Sequence, residues 1–220
     1  MTARNSTERE LDRVLRDARA CRVCAADLPL GPRPIVRARA TARLLIVGQA
    51  PGTRVHETGI PWNDPSGERL RAWLAVDRET FFDQDRIAIM PMGFCYPGRD
   101  PRGGDNPPRP ECAPLWHPPL LAALPAIELT LLVGLYAQRR YLGAKGGARG
   151  GAKGGARGGA KGGAKRRGTL TETVRAWTDY GPATLPLPHP SWRNTGWLKR
   201  NPWFEAELLP ELRARVRVLL

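Results

Sequence analysis

The sequence predicts an α/β fold, a three-layer αβα sandwich with a central four-stranded parallel sheet. Short apolar segments at Leu44–Val47, Ile87–Met90 and Leu129–Val133, the first an uninterrupted apolar run that ends at Gly48, indicate buried strands of a parallel sheet. Segments of helical character lie between these runs, and such alternation is typical of a parallel sheet covered on both sides. A fourth strand at Leu185–Pro188 completes the predicted sheet, although its two prolines make it marginal.

The first predicted helix runs from Glu8 to Ala20. Thr7 and Glu10 have the spacing of a capping box, and apolar residues follow at helical spacing. A second helix, Ser66–Leu74, begins directly after Pro65. The remaining predicted helices cover residues 113–124, 136–142, 170–177 and 202–219.

A tract of GGAK and GGAR units at residues 143–168 differs in composition from the rest of the chain. It holds eight lysines and arginines and no acid, so the other residues carry +6 of the formal net charge of +14. We interpret the tract as a flexible basic insertion in a surface loop of one domain that spans residues 1–220. It is either an arm that contacts phosphates or a repeat expansion that a surface loop tolerates.

Composition excludes several classes of protein. Large apolar residues are spread through the chain outside the tract, which excludes wholesale disorder, and no run of 18 apolar residues exists to span a membrane. The charged N-terminus has no apolar segment typical of a secretory signal, so we expect a cytoplasmic protein. We also expect the protein to be a monomer. Four cysteines in such a chain favour metal or cluster ligation over disulfides, and the basic surplus favours a nucleic acid partner.

Three unusual segments follow predicted strands or begin a predicted helix, and ligands of open α/β sheets bind beyond the carboxyl ends of strands. The first segment is Gly48–Gly52, with the sequence GQAPG. Its glycines and proline indicate a tight turn whose backbone N–H groups can bind a carbonyl oxygen or a phosphate. For this segment taken alone, a plain strand-to-loop turn is the favoured explanation.

The second segment is Thr58–Gly67, with the sequence TGIPWNDPSG. Trp62 offers an aromatic face for stacking, and Asp64 lies beside it as a potential base at the start of a helix. The alternatives are core packing for Trp62 and helix capping for Asp64 or Ser66.

The third segment is His189–Asn194, with the sequence HPSWRN, which follows the fourth predicted strand. The imidazole of His189 can donate a hydrogen bond to a developing anion, and Ser191 and Arg193 can hold phosphates. The alternative is that His189 has a structural role only.

Together these segments resemble the signature motifs of the uracil-DNA glycosylase superfamily. GQAPG, then TGIPW-x-DPSG-x-x-L, then LPHPS-x-RN occur in the family's order and spacing across Leu44–Trp203. The resemblance implies an enzyme that flips uracil out of DNA and hydrolyses its N-glycosidic bond, leaving an abasic site. It places Trp62 where relatives carry a stacking Phe, and it places His189 with the backbone N–H groups of Gln49 and Ala50 around the uracil anion.

The chain departs from the family pattern at the water-activating residue. Ala50 stands where several families have Asp or Asn. We assign the role to Asp64, because a related family with a GLAPA-type first motif has an aspartate immediately before a matching x-Ser-Gly. Glu57 is the second choice, and Ser66, Ser191 and Arg193 are the expected DNA contacts.

A second departure concerns base recognition. Two of the families read uracil with an asparagine at the end of the second strand, where this chain has Pro91 or Met92. Discrimination then falls to backbone groups near Met92 and Gly93, or to Asn63. These departures indicate a divergent bacterial branch of the superfamily, closest to its iron–sulfur-containing members.

The cysteines resemble the four iron–sulfur ligands of the family-four bacterial and archaeal enzymes. Cys21 and Cys24 form a CxxC pair, and Cys95 and Cys112 lie far along the chain. Such a set binds a [4Fe–4S] cluster or zinc, and spacing alone does not separate the two; the third alternative is a chance arrangement of free cysteines. A bound cluster is expected to clamp the N-terminal helix onto the loop Tyr96–Cys112 and to take no part in the chemistry.

A rival interpretation is a non-catalytic, metal-stabilised module that binds nucleic acid. It keeps the basic surface and the cysteines while the pocket only senses damage. The presence of both Asp64 and His189 favours the enzyme.

Overall fold

The computed structural model describes residues 3–143 and 168–220, and it confirms the predicted fold class. Four parallel strands form one sheet in the order β2-β1-β3-β4, with helices on both faces. The strands are β1 (Leu44–Val47), β2 (Ile87–Ile89), β3 (Leu129–Val133) and β4 (Thr184–Leu187). Most of the insertion predicted at residues 143–168 lies outside the described residues.

The proline-containing fourth strand is real and occupies an edge of the sheet. Pro186 lies in register with Leu132 of β3, and no strand pairs with β4 on its other side among the described residues. An edge strand tolerates proline because the missing N–H can face away from its neighbour.

Two hydrophobic cores lie on opposite faces of the sheet. Successive side chains of a strand point to opposite faces, so Leu44 and Ile46 belong to one core and Leu45 and Val47 to the other. Side chains of the helices Pro65–Leu74, Leu170–Arg175 and Leu209–Leu219 contribute to the first core. Side chains of the helices Ala3–Arg19, Cys112–Ala122 and Leu135–Tyr141 contribute to the second core. The helices are α1 (Ala3–Arg19), α2 (Thr53–Thr58), α3 (Pro65–Leu74), α4 (Arg78–Phe82), α5 (Cys112–Ala122), α6 (Leu135–Tyr141), α7 (Leu170–Arg175), α8 (Thr195–Arg200) and α9 (Leu209–Leu219).

The largest differences from the predicted helices lie at α1 and before α9, while α3, α5, α6 and α7 differ from their predicted limits by one or two residues. Helix α1 already includes Ala3, so Thr7 lies inside the helix and its predicted role as N-cap of a capping box is wrong. The predicted helix over residues 202–219 is interrupted, because a π-helical turn at Phe204–Leu208 precedes α9. Pro210 lacks an N–H and crowds the carbonyl four residues earlier, which favours a widened turn there.

The carboxyl ends of the strands meet at one edge of the sheet and position the unusual segments. Strand β1 runs directly into Gly48–Gly52, and β4 runs into His189–Asn194. Helix α3, one of the correctly predicted helices, starts beside them at Pro65. In the described ranges, no helix is long and apolar enough to cross a membrane.

Candidate active site

A cleft of about 530 Å³ opens at the carboxyl ends of the strands. Its volume lies in the range of typical small-ligand sites. It unites the three segments singled out in the sequence. The predicted site residues that line it are Gln49, Ala50, Trp62, Asp64, Ser66, His189, Ser191 and Arg193.

The turn after β1 is fixed by backbone hydrogen bonds to the segment after β2. The N–H of Met92 donates to the carbonyl of Gly48 (3.0 Å), and the N–H of Gly93 donates to the carbonyl of Gln49 (2.9 Å). These two hydrogen bonds engage backbone carbonyl groups of the turn and fix its conformation, with Gln49 and Ala50 at the cleft. The side chain of Gln49 lies against Gly134, where an added Cβ would come within 2.7 Å of Nε2.

Trp62 is held at the cleft by two glycines that leave room for it. An added Cβ at Gly48 would lie 2.9 Å from the indole ring, and one at Gly67 would lie 1.8 Å from the Trp62 carbonyl oxygen. The Trp62 backbone is in the left-handed region, with φ at 57°. Its ring is half-buried and packs against the first core, which confirms the core-packing alternative. The same residue also lines the cleft.

Asp64 serves as the N-cap of α3. Its Oδ1 accepts a hydrogen bond from the N–H of Gly67 at 2.8 Å, which confirms the capping alternative. Capping occupies Oδ1, while the same side chain also lines the cleft.

His189 lies next to Trp62, with ring centroids 5.6 Å apart and planes inclined by 31°. Burial lowers the pKa of His189 to about 4, so the imidazole is neutral near pH 7. A neutral imidazole carries one N–H donor. The backbone of His189 is held by Asn194, whose Nδ2 donates to its carbonyl at 2.7 Å.

Two arginines fix the loop that carries His189. Arg69 of α3 donates from NH1 to the carbonyl of Ser191 at 3.1 Å, and Arg193 donates from NH1 to the carbonyl of Gly103 at 3.2 Å. Trp192, which lies between Ser191 and Arg193 in the sequence, is 76% exposed and lines the cleft. Arg193, predicted as a DNA contact, thus also joins two loops of the protein.

The segment Arg99–Asn106 is a wall of the cleft that sequence reasoning missed. Asp100 and Asp105 both line the cleft from this segment. Its Gly-Gly-Asp-Asn sequence does indicate a turn. Nothing in that signal says which site the turn approaches, because the approach depends on the clamp between Arg193 and Gly103.

Three residues predicted to act on the base or the water lie outside the cleft. The Oδ1 of Asn63 accepts a hydrogen bond from Arg78 at 3.1 Å. Met92 packs against the second core, and Glu57 is an exposed residue of α2. Because the N–H groups of Met92 and Gly93 already donate to the turn after β1, they are not free to read a base. Only Pro91 of that segment reaches the cleft.

The four cysteines lie together at a second pocket, away from the cleft. Cys21, Cys24, Cys95 and Cys112 all line it, and none forms a disulfide. Burial raises the pKa of Cys24 and Cys95, and it raises the pKa of Cys112 to about 12. The neighbouring thiols add to the rise in the pKa of Cys95 and Cys112.

Hydrogen-bond donors surround these thiols. The backbone N–H of Phe94 donates to Sγ of Cys112 at 3.3 Å. Nε of Arg109 and Nε1 of Trp116 are buried with no hydrogen-bond partner in the described part of the chain, and both residues line the same pocket. Across the part of the chain that the structure describes, no three His, Cys, Asp or Glu side chains are grouped to hold a single metal ion.

Comparison with protein families agrees with this geometry. The family model described as the uracil DNA glycosylase superfamily matches residues 36–213. The matched range includes the whole sheet, the three cleft segments and Cys95 and Cys112, while Cys21 and Cys24 precede it. Because the match covers most of the chain, the protein belongs to the uracil DNA glycosylase superfamily.

Proposed function

We propose that this protein is a uracil-DNA glycosylase, which flips uracil out of DNA and hydrolyses its N-glycosidic bond to leave an abasic site. Membership of the superfamily supports a DNA glycosylase, a hydrolase with DNA as its substrate. The observation that carries the finer proposal is the convergence of Trp62, Asp64 and His189 on one cleft. These three supply a stacking surface, a carboxylate and a neutral hydrogen-bond donor.

Trp62 is proposed to bind the flipped base by stacking. Base–aromatic stacking is worth roughly 1–3 kcal/mol per base, and every base has a π-face to offer. The ring is fixed against Gly48 and beside His189, so a stacked base would lie next to the imidazole. Pre-positioning of this kind lowers the entropic cost of binding.

His189 is proposed to stabilise the leaving group. When the C1′–N bond breaks, its electron pair leaves with uracil, and the negative charge gathers largely on O2. With its pKa lowered to about 4, His189 donates a hydrogen bond from neutral imidazole and does not act as a general acid near pH 7. Fixed donors aimed at developing charge are usually the largest single contribution to catalysis. The backbone N–H groups of Gln49 and Ala50 line the same cleft and can add to it.

A water molecule must add to the sugar, and a carboxylate must orient it. Asp64 lines the cleft beside Trp62, and the cap hydrogen bond engages Oδ1 alone. We propose that Oδ2 accepts a hydrogen bond from the attacking water. Ser66, Ser191 and Arg193 lie at the same cleft, where they are proposed to contact the phosphates of the bent strand.

We further propose that Cys21, Cys24, Cys95 and Cys112 hold a [4Fe–4S] cluster. The partnerless N–H groups of Arg109 and Trp116 support this, because cluster sulfurs are hydrogen-bond acceptors. The resemblance of the four cysteines to the iron–sulfur ligands of family-four enzymes favours the cluster over zinc. The cluster would be structural, joining the end of α1 to the segment between Cys95 and Cys112.

The proposal is tested by strand cleavage of labelled oligonucleotides that contain one uracil. The protein should leave single- or double-stranded DNA uncut until alkali is added, and each molecule should process many uracils. Oligonucleotides with hypoxanthine or xanthine define the base specificity, and Glu57→Gln is a matched carboxylate control outside the cleft. If every uracil-containing strand survives alkali, the enzyme proposal is wrong and a binding module that senses damage takes its place.

A further inference from the structure

The first motif of this protein has no acid, because Ala50 stands where related enzymes have a side chain that activates water. The structure brings a carboxylate to that motif from elsewhere in the chain. Asp105 lies against Gly52, two residues after Ala50. A Cβ added at Gly52 would be 3.4 Å from Oδ2 of Asp105, which is van der Waals contact.

Asp105 is the least engaged of the aspartates at the cleft. Three aspartates line it in the described part of the chain, namely Asp64, Asp100 and Asp105. Asp64 caps α3, and Asp100 pairs with Arg102 at 3.2 Å. Within residues 3–143 and 168–220, the Asp105 carboxylate has no side-chain hydrogen bond or ion pair, and the residue is exposed to the cleft. Both of its oxygens are therefore available to a water molecule.

The loop that carries Asp105 is built to hold it in place. Arg99 and Asp105 form an antiparallel bridge, and the backbone N–H of Asn106 donates to the carbonyl of Gly98 at 2.8 Å. The Nδ2 of Asn106 donates to the carbonyl of Pro97 at 3.1 Å. From the other side, Arg193 donates to Gly103, so the loop is tied to the segment that carries His189.

The electrostatic surroundings suit a proton acceptor. Loss of water around the carboxyl raises the pKa of Asp105, and the charge of Asp64 acts in the same direction. Arg99 and Arg193 act in the opposite direction without cancelling the effect. A base is most effective when its pKa approaches the working pH, so a raised pKa favours this role.

We propose that Asp105 is a catalytic residue that accepts the proton of the attacking water. The water oxygen bonds to C1′, the C1′–N bond breaks with its electron pair leaving on uracil, and the water's proton passes to the Asp105 carboxylate. Asp64 orients the same water and holds the start of α3, so the two acids divide the task. This inference rests on the proposed glycosylase activity.

The test compares Asp105→Asn with Asp100→Asn in single-turnover assays on uracil-containing DNA. Asp100 belongs to the same loop, but its carboxylate is turned to Arg102. Loss of a general base lowers rates about 10²–10⁴-fold, and we expect that loss for Asp105→Asn with DNA affinity and melting temperature nearly unchanged. Asp100→Asn should stay within about threefold of wild type, which is under ~1 kcal/mol in barrier.

The pH profile separates a base from a structural residue. The wild-type rate should fall as pH decreases through a pKa above the ordinary aspartate value, because protonated Asp105 cannot accept the proton. This acid limb should disappear in Asp105→Asn, and formate should partly restore the rate of Asp105→Gly. An inactive wild type would refute the proposed function itself. An active wild type whose Asp105→Asn variant is equally fast, or whose Asp100→Asn variant loses as much, overturns the role of Asp105 and leaves the glycosylase proposal standing.

Discussion

The cleft and the cysteine pocket are built on opposite principles. The cleft gathers polar side chains at strand ends and leaves several of them accessible, with Asp105 and Trp192 exposed. The cysteine pocket partly buries its thiols and raises the pKa of Cys24, Cys95 and Cys112, and two buried N–H groups there have no partner among the described residues. The first arrangement suits chemistry on a substrate that enters and leaves. The second suits a permanently bound group that contributes to stability.

The two regions share one segment of chain. Cys95 and Cys112 line the cysteine pocket, while Arg99–Asn106 between them forms a wall of the cleft. A group bound by the cysteines would therefore anchor both ends of the segment that carries Asp105. Loss of the group at the cysteines should therefore loosen this wall of the cleft, whereas a change confined to the cleft should leave the cysteine pocket intact.

Cys112→Ser should have the largest effect, and the effect should be on stability. Loss of a metal ligand is among the changes that cost about 4 kcal/mol or more. For a chain of this size that lowers the melting temperature by roughly 8 °C or more. The anaerobically purified wild type should be brown with broad visible absorbance, and the variant should lose iron. Ala113→Ser, the buried neighbour in α5, is the control. A colourless wild type with one equivalent of zinc would contradict the cluster and keep the site.

His189→Ala should show the opposite pattern, with lost chemistry and a retained fold. Removing one donor to a developing anion typically costs about 10²–10³ in rate. Single-turnover assays measure the rate, and thermal unfolding should show nearly unchanged stability. A fall in melting temperature as large as that of Cys112→Ser would contradict this prediction, because it would show that His189 contributes as much to stability as the cysteine site does.

His117 lies between the regions and should make stability depend on pH. Its Nε2 donates a hydrogen bond to the carbonyl of Pro91, a residue that lines the cleft, at 3.0 Å. Its ring stacks on the ring of Phe94, which lines the cysteine pocket, with ring centroids 5.9 Å apart. Burial lowers the pKa of His117 to about 4. The unfolded chain binds this proton near pH 6.5, so stability decreases as pH falls from about 6.5 towards 4.

For His117 alone the decrease between pH 7 and pH 5 is about 2 kcal/mol. Glutamine does not titrate and can still donate to Pro91, so His117→Gln should lose that part of the pH dependence. Urea unfolding at both pH values measures it. His189 titrates similarly in both proteins and cancels in the comparison. Identical pH dependence in the two proteins would show that His117 has the same pKa in the folded and unfolded states, contrary to this prediction.

Gly67→Ala should disturb the cleft by displacing Trp62, with a moderate loss of stability. Its Cβ would meet the carbonyl of Trp62 at 1.8 Å, so the Trp62 turn must move. Overpacking of this kind typically costs about 1–3 kcal/mol. Uracil-containing DNA should bind more weakly while the metal content stays the same. Gly196→Ala in α8, where the nearest atom is 3.4 Å away, is the matched control. Unchanged DNA affinity in Gly67→Ala would contradict the positioning of Trp62.

Much of this protein was determined locally by its sequence. The sequence predicts the buried strands Leu44–Val47 and Leu129–Val133 at their observed limits, because each is a short, mostly apolar segment followed by glycine. The helix at Asp64 was equally legible, since aspartate followed by proline is a strong start signal. The first and last motifs reached the same cleft because carboxyl ends of parallel strands share one edge of a sheet.

Tertiary structure decided which polar groups are free to act. The sequence suggests Asn63 and Met92 as contacts to the base. In the structure, however, Arg78 donates a hydrogen bond to Asn63, and Met92 packs against the second hydrophobic core. Nothing in the sequence singles out Asp105, whose place against Gly52 depends on a clamp between Arg193 and Gly103, 90 residues apart. Periodicity and turn chemistry act over a few residues, whereas the availability of a carboxylate depends on partners that only folding brings within reach.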